Sequence, residues 1–173
     1  MPILAIADPS LVVLVGAAGS GKSTFAARHF TREEILGSDA LRAIVGSGEG
    51  DQAATKAAFA LLHRRLAQRL ADGKLTVVDA TNVESHARRS LLRLARAAGV
   101  PPVAIVLDLP PDLVMRRNEA RQGRVVDPGV VWHHLTQLRR AVDRGLLERE
   151  GFDVVYRIRE AAELDAVAFE RRG

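Results

Sequence analysis

The chain has 173 residues, with 25 Lys and Arg against 21 Asp and Glu, a formal net charge of +4 and no cysteine. One domain with a full core is expected at that length, and the lack of thiols excludes disulfides, thiolate catalysis and Cys-based zinc sites. No apolar run approaches the roughly 20 residues of a membrane span and Met1-Pro2-Ile3 lacks a basic signal-peptide start, so a soluble, cytoplasmic protein with no membrane partner is expected. The basic balance would suit a polyanion but argues for one weakly. All of its cations except Lys22, Lys56 and Lys74 are arginine, as a G- and C-rich coding sequence would also produce.

In chain order, the apolar run Leu11-Val12-Val13-Leu14-Val15 reads as a buried strand and is followed at once by Gly16-Ala17-Ala18-Gly19-Ser20-Gly21-Lys22-Ser23. The pattern G-x-x-x-x-G-K-S between a strand and a helix builds a phosphate cradle. Glycines let successive backbone N–H groups converge on a β-phosphate, Lys22 neutralises the β and γ oxygens, and the Ser23 hydroxyl is placed to ligate Mg²⁺. A helix over about 21–30 adds the positive end of its dipole. Further strands are predicted at 33–37, 74–79, 102–108 and 153–158, and further helices at 39–46, 53–71, 83–98, 111–121 and 128–143. Thr81-Asn82-Val83-Glu84 reads as a capping box, Asp127-Pro128 as a cap with proline at the first helical position, and Asp72-Gly73 and Gly99-Val100-Pro101 as stops. Gly46-Ser47-Gly48-Glu49-Gly50 is expected to be a mobile loop. The alternation predicts an α/β domain: a parallel sheet of about five strands flanked by helices.

Ligands in such sheets collect at the carboxyl ends of the strands, which directs attention to the residues just after each run. Ser38 and Asp39 follow the second run, and Asp39 is the candidate carboxylate for orienting an attacking hydroxyl and taking its proton; helix capping is the competing role. Arg42 lies one turn later on nearly the same face, where it could meet a phosphate on the acceptor. Asp79 ends the third run and is the candidate for ordering the water shell of Mg²⁺, with Asn82 beside it. After the fourth run, Arg117, Arg121 and Arg124 have the i, i+4, i+7 spacing of one helical stripe suited to closing over a triphosphate. Arg89, Arg93 and Arg96 share that spacing on an earlier helix, where a solvent-facing stripe is expected. His133-His134 beside Trp132 reads as packing or surface rather than a metal site, and Phe59, Leu62, Leu66 and Leu70 read as a core-facing stripe.

The loop at 16–23, Ser38-Asp39 with Arg42, Val77-Val78-Asp79-Ala80-Thr81-Asn82, and Arg117-Asn118 with Arg121 and Arg124 together resemble the 5′-hydroxyl polynucleotide kinase domain of bacterial polynucleotide kinase-phosphatase. The likeness extends to Glu150-Gly151-Phe152 and Val167-Ala168-Phe169-Glu170-Arg171. It implies a kinase that moves the γ-phosphate of ATP or another NTP to the 5′-OH of RNA or DNA in end repair, with Mg²⁺ or Mn²⁺. By that resemblance Gly16 to Ser23 and Thr24 hold the nucleotide, Lys22, Asp39 and Arg117 serve catalysis with Asp39 as general base, and Ser23 and Asp79 (through water) serve the metal. Arg42 takes the acceptor's first internucleotide phosphate, Gln52 and Asn82 lie near the acceptor, and Arg117, Arg121 and Arg124 form the lid. It further implies that the chain is the N-terminal module of a longer protein carrying phosphatase and ligase-type modules, with dimerisation left open. The loop departs from serine-rich versions by reading Gly-Ala-Ala-Gly, which removes hydroxyls but no backbone donors. Two other functions compete: a kinase of the same loop type acting on a small metabolite or sugar, and a nucleotide-driven switch. A GTPase is disfavoured because the chain has no N-K-x-D segment.

Overall fold

A computed structural model describes residues 2–46 and 52–173, without the side chains of Gln52 and Ala53. Its centre is a five-stranded, wholly parallel sheet of β2 (Leu11–Val15), β3 (Ile35–Gly37), β4 (Thr76–Asp79), β5 (Pro102–Leu107) and β6 (Val154–Ile158), in the order β3-β4-β2-β5-β6. Every residue of β2 is buried because helices cover both faces. Its side chains alternate accordingly: Leu11, Val13 and Val15 join one core, Val12 and Leu14 the other.

The first core is closed by α3 (Gln52–Ala71), α4 (Ser85–Ala98), the later part of α6 (Pro128–Asp143) and α7 (Leu146–Glu150), through side chains such as Leu62, Leu66, Leu91, Leu138 and Leu147. The second is closed by α1 (Lys22–His29), α5 (Pro111–Glu119) and α8 (Ala161–Ala166), through Phe25, Val114 and Leu164. α2 (Ser38–Val45) sits over the carboxyl end of β3. A separate two-stranded parallel pair, β1 (Ile3–Ala7) with β7 (Ala168–Arg172), joins the two ends of the described chain.

The predicted strands and helices are all found, with boundaries shifted by a few residues. The segment 33–34 is the exception, forming part of a 3-10 turn at Arg32–Glu34 before β3. The Asp127 carboxylate caps α6 by accepting N–H bonds from Gly129 and Val130, and Gly99 ends α4 at φ 68°. The capping box at 81–84 does not form. α4 begins only at Ser85, so Glu84 is its N-cap rather than the third helical residue a capping box needs, and its side chain makes no capping bond; Asn82, with a left-handed φ of 49°, lies in the turn before it. Of the predicted loop at 46–50, all but Gly46 lies outside the described residues.

One charged group belongs to the frame. The Arg88 side chain is fully buried, and its guanidinium donates to both Glu150 carboxylate oxygens at 2.7 Å and to the Asn82 and Val83 carbonyls. This ties the turn after β4 to α7 and leaves the charge satisfied.

Candidate active site

The chain reverses its direction of progress across the sheet at β2: β4 lies on one side and β5 on the other, and a crevice opens at such a switch point. The crevice is a cavity of about 1270 Å³ lined by the loop between β2 and α1, by α2, by the turn after β4, by α5 and by the segment that follows it.

The loop needs its glycines for different reasons. A Cβ on Gly16 would meet the Ser20 hydroxyl at 2.8 Å and the Leu107 carbonyl at 3.2 Å, so this position is closed by packing. Gly19 has φ 85° and lies against α5, where a Cβ would sit 2.7 Å from the Val114 carbonyl. Gly16, Ala17 and Ser20 form the frame of the turn, while Ala18, Gly19, Gly21, Lys22, Ser23 and Thr24 line the cavity. Lys22 is 7% exposed and donates to the Ala17 carbonyl at 2.8 Å. Burial lowers its pKa to about 8; Asp79 and Asp39 oppose that shift and Arg121 adds to it. A desolvated ammonium whose hydrogen bonds among the described residues go to a neutral carbonyl and a hydroxyl is a site poised for an anion.

Register places Asp79 beside Gly37, and the Ser23 hydroxyl donates to the Asp79 carboxylate at 2.7 Å. Hydroxyl and carboxylate together, with phosphate oxygens to complete the shell, are a donor set that fits Mg²⁺. Among the described residues there is no group of three His, Asp or Glu that could hold a metal by itself.

Asp39, with its side chain 68% exposed, lies on the cavity wall and pairs with Arg42 at 3.1 Å and Arg124 at 3.9 Å. Arg42 is mostly covered, and its Nε is buried without a hydrogen-bond partner. The three arginines of the predicted stripe also reach the cavity, but not as a helical stripe. α5 ends at Glu119, so only Arg117 is on the helix, and Arg121 and Arg124 stand on the loop beyond it. That loop is pinned by Asn118, whose buried amide donates to the Val126 carbonyl at 2.7 Å and accepts from the Val126 N–H at 3.1 Å. Asn118→Ala should cost about 1–3 kcal/mol in denaturant unfolding, since it leaves both Val126 groups unpaired. It should also raise the KM for nucleotide by releasing Arg121 and Arg124; an unchanged KM would separate the clamp from the arginines.

Two expectations need correction, and one gains a contact. Asn82 does not line the cavity: it is buried, and its amide donates to the Leu14 carbonyl at 2.8 Å, bracing the strand that launches the loop. Phe59 faces the cavity instead of continuing the core stripe of Leu62, Leu66 and Leu70. His134, expected as packing or surface rather than a metal site, packs at the cavity wall and accepts the Ala18 N–H through Nδ1 at 3.4 Å. That contact links positions 116 residues apart and has no local sequence signal. Gln52 is the first residue of α3, and its side chain lies outside the described residues. The stripe of Arg89, Arg93 and Arg96 is exposed as expected.

A strand, a glycine turn closed by packing, a buried lysine and a hydroxyl on a strand-end aspartate agree with a family model, described as an AAA domain, that matches residues 11–144. The chain belongs to the AAA_33 family. Several solved structures share this AAA_33 chain's fold. A chain of the Pnkp1/Rnl/Hen1 RNA repair complex is 24% identical over 80% of this chain, with a TM-score of 0.69. The APS kinase CysC of Mycobacterium tuberculosis, solved with AMPPNP and APS, is 17% identical over 93% of this chain and 94% of its own, with a TM-score of 0.57. A gluconokinase from Sinorhizobium meliloti 1021 is 18% identical over 93% of this chain and 88% of its own, with a TM-score of 0.56. The AAA_33 chain spans 47% of the repair-complex chain it matches. Curated proteins yield no match. The fold is thus that of a P-loop kinase, and none of its helices among the described residues is long and apolar enough to cross a membrane.

Proposed function

We propose that the chain transfers the γ-phosphate of ATP, or of another NTP, to a 5′-hydroxyl end of RNA or DNA. The observation that carries this reading is the pairing of Asp39 with Arg42 and Arg124 on the wall of the cavity that also holds Lys22. A carboxylate at that position can receive an alcohol proton, and a guanidinium one turn away can hold an anionic group on the same acceptor.

The steps follow from the residues. The loop amides and Lys22 grip the β and γ oxygens of the triphosphate, while Arg117 and Arg121 approach from the lid side. Arg117 already reaches the loop, donating to the Ser20 carbonyl at 3.4 Å. Asp39 orients the acceptor hydroxyl. As the new P–O bond forms, the hydroxyl proton passes to Asp39 and the bond from the γ-phosphorus to its bridging oxygen breaks, releasing the nucleoside diphosphate. Ser23 and Asp79 would hold Mg²⁺ beside the β and γ oxygens, where it would offset their charge. Arg42 exchanges part of its contact with Asp39 for the first internucleotide phosphate of the acceptor.

The wider reading places this domain in an end-repair protein with phosphatase and ligase-type modules, which the repair-complex neighbour supports. A kinase for a small alcohol would use the same loop and base, and the APS kinase and gluconokinase neighbours support that alternative. Arg42 separates the two. Arg42→Ala should lower phosphorylation of a 5′-OH dinucleotide about tenfold or more while changing that of a bare nucleoside little, because only the dinucleotide offers an internucleotide phosphate. Equal losses for both acceptors would contradict the role.

A further inference from the structure

α6 brings one imidazole to the phosphate loop. Val131 and Leu138, each one turn from His134 on the same helix, are buried in the two cores and fix its position over Ala18. The neighbouring His133 is tied to Glu84 at 3.0 Å in the turn before α4. His134 accepts the Ala18 N–H through Nδ1, so a neutral ring carries its proton on Nε2. Burial, then Lys22 and then His133, with Glu84 opposing, hold its pKa down to about 4. An imidazolium could not accept this bond, and a second cation beside Lys22 would be unfavourable.

Ala17 and Ala18 are buried in the second core, and the His134 bond adds a polar tie to that packing. Residues 17 and 18 are both alanine and offer no side-chain hydrogen bond of their own; the turn they open is closed by the Ser20 N–H donating to the Ala17 carbonyl at 3.2 Å, with Arg117 on the Ser20 carbonyl at 3.4 Å. The Ala17 carbonyl also takes the Lys22 ammonium. We propose that His134 is a positioning residue for nucleotide binding, which by accepting the Ala18 amide fixes the Ala17–Ser20 turn and, through the Ala17 carbonyl, the Lys22 ammonium in the shape that receives the terminal phosphates. This rests on the loop being a triphosphate site and not on the identity of the acceptor.

Titration calorimetry with AMPPNP and Mg²⁺, without acceptor, tests it on the intact chain. Asparagine can place its carbonyl oxygen near the Nδ1 position, whereas glutamine places its own nearer Nε2 and alanine has no acceptor. His134→Asn should bind within about threefold of wild type, and His134→Gln and His134→Ala about tenfold more weakly, as expected for one hydrogen bond. Wild-type affinity in the alanine variant, or equal affinity in the asparagine and glutamine variants, would overturn the proposal. If the alanine variant does not fold, the asparagine–glutamine pair still decides. A failed oligonucleotide assay would leave this titration unchanged, so the two readings fail separately.

Discussion

Lys22→Ala is expected to lower phosphoryl transfer by about 10³-fold or more, with the loss shared between nucleotide affinity and turnover. The reason is the state of the free site. Lys22 is almost wholly covered and held by the Ala17 carbonyl at 2.8 Å, with its pKa lowered to about 8 by burial. A group desolvated in advance interacts strongly with an arriving phosphate, because little water has to be displaced at that moment. Arg117 does not substitute for it, since its guanidinium reaches the Ser20 carbonyl and not the Ala17 carbonyl that holds Lys22. The check is steady-state kinetics beside circular dichroism. Activity within tenfold of wild type in a folded Lys22→Ala protein would contradict the assigned role.

The second large effect concerns Asp39. Asp39→Asn keeps the size of the side chain and removes the proton acceptor, so acceptor phosphorylation should fall about 10²- to 10⁴-fold with nucleotide binding nearly unchanged. The loss should lie in kcat more than in the KM for ATP, because Asp39 stands on α2 while the nucleotide-binding loop precedes α1. A switch that only hydrolyses nucleotide predicts a different result, with ATP turnover preserved in Asp39→Asn. Single-turnover measurements with labelled ATP, with and without acceptor, distinguish them.

Much of this arrangement was legible in the residues. Leu11–Val15 could be read as a buried strand because all five side chains are apolar, and the loop after it because few other needs would put three glycines, a lysine and a serine at that spacing. Asp79 was findable because it ends an apolar run and Asp39 because it stands just past another, and parallel strands bring those ends together. What escaped depends on contacts between distant parts of the chain. β1 and β7 pair across the whole chain, and Ala168-Phe169-Glu170-Arg171-Arg172 has no apolar alternation by which to recognise a strand. Arg121 and Arg124 matched a helical stripe, but the helix ends before them and the Asn118–Val126 clamp sets their place. Asn82 resembled a cap residue in sequence, yet the nearby Leu14 carbonyl claims its amide. His134 reaches the loop only because α6 crosses over it.

The central claim is that the phosphoryl group is delivered to a nucleic-acid 5′-hydroxyl. Incubating the protein with Mg²⁺ and ATP labelled in the γ-phosphate, together with a 5′-OH oligonucleotide and, in parallel, gluconate and other small alcohols, measures it most directly. The account predicts label at the 5′ end of the oligonucleotide, removable by a phosphatase and lost in Asp39→Asn. Label on a small alcohol with none on the oligonucleotide would contradict it.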